Sequence, residues 1–201
     1  IKKNGFFETC IRLVLTGGPT KDGIHYEKPT LFILVEKSES LPERYFEQGI
    51  STVMHEYQRE IPEAKTVLYR EAICLRNQKQ YRDFADILYI SKGFILEGTT
   101  SNFFLVRGNR LITPKKNVLI GTTRNLVLRL ARSFLKVEER DIRIQELKTA
   151  DEAFFTATNK EILPIVKINS MAIGNGKAGK HTKELQKRFK EYVELKYIKI
   201  T

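Results

Sequence analysis

The chain has 201 residues, of which 41% are hydrophobic and 29% are charged, a balance typical of a globular protein with a hydrophobic core. No apolar run approaches the roughly 20 residues that a membrane-spanning helix needs. Cys10 and Cys74 lie far apart and match neither a disulfide framework nor a zinc motif. We therefore expect a reduced, cytoplasmic protein without a membrane partner.

The sequence begins at Ile1, and residues 6–15 already have the pattern of a strand. This start lacks the charged and then apolar pattern of a signal peptide. We expect the chain to be a fragment, or to lack its first segment.

The net charge is +11, and the excess lies mainly in residues 177–199, where eight Lys and Arg stand against three Glu. Apolar residues recur there at helical intervals, which predicts an amphipathic helix with a basic, solvated side. These residues are Leu185, Phe189, Tyr192, Val193 and Tyr197. Because basic clusters also attract phosphate backbones, nucleic-acid binding is the competing interpretation. No aromatic residues interleave with the charges on a basic sheet, so we expect no nucleic-acid partner.

The first third of the chain predicts strands over residues 6–15, 30–36 and 50–58. A polar loop over residues 18–28 separates the first two. Pro62-Glu63 then ends the third strand and supplies an acid for the first turn of a helix over residues 66–80.

The rest of the chain predicts a β-rich region with two further main helices. One helix opens at Gly121-Thr122-Thr123, and the other is the basic C-terminal helix. Short strands mixed with three main helices indicate an α+β fold. The strands are predicted over residues 85–91, 94–96, 102–106, 110–113, 137–144, 152–158, 163–168 and 171–173, with a short helix near residues 145–150.

The segment Glu97-Gly98-Thr99-Thr100-Ser101-Asn102 is unusual, because five small or polar residues separate two apolar strands where a plain turn needs two or three. Such a backbone can approach a ligand closely and can offer several hydroxyls and amides. A carboxylate at the end of a strand can also hold a cationic ring nitrogen. An ordinary polar loop is the alternative.

A second polar segment, Gly121-Thr122-Thr123-Arg124, stands where a helix begins. Free N–H groups and the helix dipole attract phosphate at such a position. Capping of the helix by Thr122 or Thr123 is the simpler alternative. A third polar strand end, Thr156-Ala157-Thr158-Asn159, says little by itself.

Residues 174–182 nearly match the phosphate loop G-x-x-x-x-G-K-[ST] of nucleotide hydrolases. His181 occupies the position of the magnesium-binding hydroxyl, and the preceding strand is too short for a central parallel strand, so we expect a glycine-rich turn. His25, His55 and His181 lack metal-ligand spacing, and no G-x-S-x-G motif is present. Neither a metal site nor a serine hydrolase is expected.

Taken in order, these segments resemble the signature of the class IV aminotransferases, the fold-type IV pyridoxal-phosphate enzymes. The resemblance covers nearly the whole chain, through residues 11–18, 97–104, 111–114, 119–124, 150–158 and 173–182. It implies a D-amino-acid aminotransferase-like fold. Residues 1–60 would form the end of the small α/β domain and a linker, and residues 61–201 would form the large domain that binds pyridoxal 5′-phosphate.

The family places its cofactor lysine near the start of a helix, a little over thirty residues before the glutamate. Lys65 lies 32 residues before Glu97. A lysine at a helix entry is usually a surface residue, but this spacing favours Lys65 as the lysine that forms the Schiff base.

The resemblance implies a role for each site residue. Lys65 would bind the cofactor and shuttle the substrate proton, with Tyr69 at the cofactor's 3′ oxygen and Glu97 at its ring nitrogen. The other residues would grip the phosphate or pack around the ring, and they are Thr100, Ser101, Asn102, Thr122, Thr123 and Thr158.

The implied activity is the transfer of an amino group between an amino acid, branched-chain or D-, and a 2-oxo acid, in a homodimer. A 4-amino-4-deoxychorismate lyase and a non-catalytic basic binding module stay open as alternatives. The loop over residues 16–21 differs from the arginine-containing loop of many D-amino-acid relatives, so it does not identify the substrate. We also expect the family's N-terminal segment, with its phosphate-binding arginine, to be missing, which leaves open whether the fragment is active.

Overall fold

The computed structural model describes residue 5, residues 9–38 and residues 40–196. The chain divides into two compact units, Ile1–Ser40 and Leu41–Thr201.

The first unit contains an antiparallel hairpin of β1 (Thr9–Thr16) and β2 (Thr30–Lys37). Its register sets Leu13 opposite Ile33, and alternate residues on this face are large, exposed aliphatics. Both strands agree with the prediction, except that residues 6–8 of the first predicted strand lie outside the described residues.

Within its described residues, the second unit is built on one mixed sheet of eleven strands. Its strands are β3 (Ile50–Thr52), β4 (Met54–Glu56), β5 (Leu88–Ser91), β6 (Phe94–Gly98), β7 (Asn102–Arg107), β8 (Arg110–Thr113), β9 (Lys136–Glu139), β10 (Ile142–Arg143), β11 (Glu152–Ala157), β12 (Glu161–Ile168) and β13 (Met171–Ala172). Its helices are α1 (Glu43–Gln48), α2 (Arg70–Asn77), α3 (Thr122–Ala131) and α4 (Lys180–Lys196), with 3₁₀ turns at Lys79–Tyr81 and Ile144–Thr149.

The central path of the sheet runs β13-β12-β11-β7-β6-β5-β4. Three pairs are parallel, namely β3 with β12, β4 with β5 and β8 with β9, and the other pairs are antiparallel. β3 and β10 pair off this path, with β12 and β6 respectively. Ile50 of β3 and Ile142 of β10 share one core cluster with Phe103 of β7, so the sheet curls around that core. The mixed architecture agrees with the predicted α+β class.

The other face of the sheet is covered by α3 and α4. Val127 of α3 and Leu185 of α4 are fully buried against Phe104 and Phe154, whose rings stack at 4.9 Å. Each such burial stabilises the fold by about 1.5–3 kcal/mol. This packing fixes α3 on β7 and β11 and so determines where its first turn lies.

The predicted helix over residues 66–80 is shorter in the structure. Thr66 and Tyr69 donate their backbone N–H groups to carbonyls only two residues earlier, at Ala64 and Val67. The β-branched side chains of Thr66 and Val67 also disfavour a helix. Regular α-helix therefore begins only at Arg70.

The predicted strand over residues 50–58 is two short strands, which separate at Val53. β3 pairs with β12 and β4 pairs with β5, so both belong to the sheet of the second unit. The predicted boundary at residue 60 thus falls inside that unit, and the observed division lies between Ser40 and Leu41. The assignment of the two units to the small and large domains of the family stays a prediction. The sequence pattern also did not predict α1.

The C-terminal helix is amphipathic, as predicted: Leu185 and Phe189 are buried, and the lysines among residues 183–190 are exposed. Tyr197 of the predicted apolar side lies outside the described residues, and Val193 is exposed. Of the helices among the described residues, none combines the length and apolarity that crossing a membrane requires.

The near-match to a phosphate loop is a turn that leads into α4. The first N–H groups of α4 already have a partner in the protein. The buried carboxylate of Glu152 accepts the N–H of His181 at 3.0 Å and that of Thr182 at 2.7 Å. A carboxylate therefore fills the place that a phosphate would need. Within the described ranges, no three His, Cys, Asp or Glu side chains converge on a possible metal position.

Candidate functional site

Glu97 lies near the end of β6 with its side chain buried. Its Oε2 accepts the Leu119 N–H at 2.9 Å, and its Oε1 accepts the Arg59 Nε–H at 2.7 Å. Burial raises the pKa of Glu97, while the Leu119 N–H and the Arg59 guanidinium act in the opposite direction. The carboxylate is held from two sides, and a further cationic partner would favour its charged form.

Arg59 joins Glu97 to the loop that carries Lys65. Besides the carboxylate, its guanidinium donates to the backbone carbonyls of Pro62 and Ala64, the latter at 3.1 Å. Ala64 directly precedes Lys65. Because the N–H groups of a guanidinium point in fixed directions, one side chain holds the strand end and the loop together.

Lys65 and Tyr69 lie on the segment between β4 and α2. The Lys65 side chain is exposed, and Tyr69, 36% exposed, immediately precedes the first residue of α2. Among the described residues, Lys65 is linked to Glu97 through Ala64 and Arg59 rather than through a side-chain hydrogen bond of its own.

Asn102 begins β7 opposite Glu97. Its Nδ2 donates to the Leu119 carbonyl at 2.5 Å, while the Leu119 N–H donates to Glu97. A Cβ atom at Gly121 would collide with Asn102 Oδ1, so this close approach requires glycine. Together, Glu97 and Asn102 position the backbone that leads into α3.

The first turn of α3 has no capping side chain among the described residues. Gly121 is its N-cap residue, so the simpler alternative of capping by Thr122 or Thr123 does not hold. Thr122 is exposed and Thr123 is buried. The first N–H groups and the positive end of the helix dipole are therefore available to a negatively charged ligand.

Thr156 pairs with Asn102 across β11 and β7, and its buried hydroxyl has no hydrogen-bond partner in the structure. Because alternate residues share a face, Thr156 lies on the side of Phe154, which α3 covers. Leaving a buried hydroxyl unpaired costs about 1–3 kcal/mol. Thr158 follows in the turn after β11 and is exposed.

A second polar group lies beneath the turn that follows Glu97. Asp86 is fully buried, and its carboxylate accepts the Ser101 hydroxyl at 2.6 Å and the Thr99 N–H at 2.8 Å. It also accepts the Lys160 ammonium, which donates to Thr100 Oγ1 at 2.7 Å as well. The Thr99 hydroxyl donates to this carboxylate as well. Burial raises the pKa of Asp86, but Lys160 and the hydroxyls of Ser101 and Thr99 lower it by more, so the net direction is down. The hydroxyls of Thr100 and Ser101 thus face the protein's own network.

Residues 1–168 match the family model described as amino-transferase class IV. The chain belongs to the class IV aminotransferases.

Relatives agree with this assignment, and a solved structure shares the fold. A Methanocaldococcus jannaschii protein named provisionally as a branched-chain-amino-acid aminotransferase is 31% identical over 203 residues, 95% of this chain and 69% of that protein. The D-alanine aminotransferase of Bacillus licheniformis is 30% identical over 149 residues, 72% of this chain and 53% of that enzyme. The structure of the T.th. branched-chain amino acid aminotransferase with pyridoxamine 5′-phosphate has a TM-score of 0.87 at 22% identity, over 98% of this chain and 68% of that one. The likeness confirms the fold-type IV architecture.

The described residues of this class IV aminotransferase fit a pyridoxal phosphate group in three respects. The buried Glu97 carboxylate suits a ring nitrogen, and the uncapped start of α3 suits a phosphate. Thr156 adds a buried hydroxyl that lacks a partner. The register of β6, β7 and β11 places Glu97, Asn102 and Thr156 side by side at adjoining strand ends. Asn102 also contacts Leu119 and Gly121, which lead into α3.

The sequence patterns did not indicate Arg59, Asp86 or Lys160, and they included Thr156 only as part of a polar strand end. One signal was available: Asp86 stands alone in the apolar stretch Ala85-Asp86-Ile87-Leu88, and an isolated charge in such a stretch indicates a buried pair. Arg59 lies in a polar segment and gives no comparable signal. Its partners are distant in sequence or belong to the backbone.

Proposed function

We propose that this protein is a pyridoxal-5′-phosphate-dependent aminotransferase that binds its cofactor covalently at Lys65. The main support for the proposal is the Arg59 guanidinium. It donates hydrogen bonds both to the Glu97 carboxylate and to the backbone of the loop that carries Lys65. Family membership and the uncapped start of α3 support it independently.

Bound pyridoxal phosphate would supply a ring that accepts electrons from the substrate carbon. Glu97 would accept a hydrogen bond from the ring nitrogen and keep that nitrogen protonated, and its burial makes this charge interaction strong. The first N–H groups of α3, with the hydroxyls of Thr122, Thr123 and Thr158, would hold the phosphate.

The Lys65 amine would form the covalent link and then carry a proton to and from the substrate Cα. Its exposed position lets the amine move between these tasks without leaving a buried partner. Tyr69, a few residues further on, would donate to the cofactor's 3′ oxygen. Thr100, Ser101 and Asn102 would support the ring from the strand ends rather than react.

The proposed reaction moves an amino group between an amino acid and a 2-oxo acid. Two of the relatives are named for branched-chain and D-alanine transamination, so branched-chain and D-amino acids are the donors to test. The chain spans 69% and 53% of the length of these relatives. Activity and homodimer formation are therefore proposed for the complete protein.

The test is an absorption spectrum of the purified complete protein during titration with pyridoxal phosphate and then with candidate amino acids. We expect a cofactor band that a branched-chain or D-amino acid shifts, and glutamate formation when 2-oxoglutarate is added. Pyruvate release from 4-amino-4-deoxychorismate, without glutamate formation, would identify a lyase instead. A protein that stays colourless would refute the proposed cofactor.

A further inference from the structure

The ion pair of Asp86 with Lys160 has no part in the proposed chemistry, yet it is the most fully bonded charged group near the site. The Asp86 side chain is 0% exposed and that of Lys160 is 5% exposed. Removing two charges from water is costly, and a buried pair persists only when further hydrogen bonds satisfy both groups. Here the carboxylate also accepts bonds from Thr99 and Ser101, and the ammonium also reaches Thr100.

These bonds connect two turns that are distant in sequence. Thr99, Thr100 and Ser101 form the turn that directly follows Glu97 and Gly98, between β6 and β7. Lys160 ends the turn between β11 and β12, which begins with Thr158. The pair therefore links the turn next to the proposed ring-nitrogen partner with the turn of a proposed phosphate ligand.

The turn after Glu97 packs closely against the protein on one side, where Asp86 lies. A Cβ atom at Gly98 would collide with Ser101 and would come within 2.8 Å of Asp86 Oδ2. On another side, the turn borders an open groove of about 590 Å³ that Thr100, Asn159 and Lys160 line. Solvent rather than protein adjoins the turn there, so its position rests on the buried bonds.

We propose that Asp86 and Lys160 form a positioning pair that sets the separation between Glu97 and Thr158, and thereby between the two ends of the cofactor site. This inference rests on the proposed function. In this proposal, neither Asp86 nor Lys160 touches the cofactor. Their effect on the reaction passes through the two turns, because the ring and the phosphate of one rigid cofactor must be met at a fixed distance.

The test compares Lys160→Met with Arg140→Met in the complete protein. Arg140 binds Glu146 with two hydrogen bonds of 3.0 and 2.7 Å, away from both turns, so its variant measures the effect of losing a well-bonded cation elsewhere. For Lys160→Met we expect the dissociation constant of pyridoxal phosphate to rise between about tenfold and a hundredfold. Arg140→Met should leave that constant within about twofold of wild type while lowering the unfolding temperature.

Amide hydrogen exchange without cofactor gives a second, independent measurement. In Lys160→Met we expect faster exchange at residues 98–101 and 158–160 together, and in Arg140→Met at neither turn. If Lys160→Met only lowers the unfolding temperature, with cofactor affinity and both turns unchanged, the positioning role is refuted. Failure of the wild-type protein to bind pyridoxal phosphate would refute the proposed function, whereas the exchange data would still decide whether the pair couples the turns.

If Lys160→Met fails to fold, Thr100→Val replaces it. This variant removes the bond from Lys160 to the turn and leaves the ion pair intact. Because Thr100 is itself proposed to support the ring, hydrogen exchange without cofactor decides the outcome for this variant. Faster exchange at residues 98–101 and 158–160 together supports the proposal, and wild-type exchange at residues 158–160 overturns it.

Discussion

Glu97 and Lys65, two functional groups of the proposed site, are held in different ways. Glu97 is buried at a strand end, with Leu119 and Arg59 on its two oxygens and Asn102 beside it. Lys65 is exposed on a loop that the structure anchors through the carbonyl of Ala64. The carboxylate is thus placed by the sheet, and the lysine by one guanidinium.

The difference suits the proposed chemistry. A group that only has to hold a charge gains from a rigid, weakly screened position. A group that must form a bond and then move a proton needs freedom to change its position. Arg59 matters because it connects the buried Glu97 with the loop that carries the exposed Lys65.

The largest effect is expected at Lys65. Lys65→Ala should abolish trapping of the cofactor by borohydride and lower turnover by about 10²–10⁴-fold, because the proposed covalent link and proton carrier are both removed. Mass spectrometry of the reduced protein measures the trapping. Lys183→Ala, which removes an exposed lysine of α4, is the control and should behave as wild type. Trapping that survives in Lys65→Ala would show that another lysine is used.

Replacing Arg59 tests whether its side chain connects Glu97 with the Lys65 loop. Arg59→Met leaves the buried Glu97 carboxylate without its cation and frees the loop, so we expect a loss of about 3 kcal/mol in the free energy of unfolding. Urea denaturation of the cofactor-free protein measures it. Arg76→Met is the matched control, because Arg76 binds the carbonyls of Phe84 and Ala85. Equal losses in the two variants would contradict a special role for Arg59.

The smallest effect is expected at Glu97. Glu97→Gln keeps an oxygen for the Leu119 N–H but loses the negative charge, so cofactor should remain bound while turnover falls by about tenfold, equivalent to about 1.4 kcal/mol. Steady-state kinetics with the best donor measures this change. Glu152→Gln changes a carboxylate of similar burial at the start of α4 and should leave turnover as it is. Normal turnover in Glu97→Gln would remove its proposed role.

Local patterns predicted most of the second unit well. Period-two alternation and glycine turns indicate strands that the structure contains, and the amphipathic spacing of α3 and α4 predicts helices that pack on the sheet. The errors lie where tertiary contacts override local preference. Residues 50–58 form two strands because two different neighbours pair with them.

The sequence likewise predicted only part of the candidate site. The ordered motifs predicted Glu97, Asn102 and the helix start at Gly121, and the structure brings these three together. The motifs did not predict Arg59 or the Asp86–Lys160 pair. Hydrogen bonds between residues 38 and 74 positions apart leave no periodic trace in the sequence.

The amino-acid order by itself determined the family, the mixed α+β class and the types of residue offered to a cofactor, because turns, periodicity and helix starts are set by near neighbours. The tertiary structure alone decided which charges are buried, which hydroxyls are already bonded and which loop is tied to which strand. Those properties arise when distant segments exclude water from one another, and the strength of a charge or hydrogen bond depends on that exclusion.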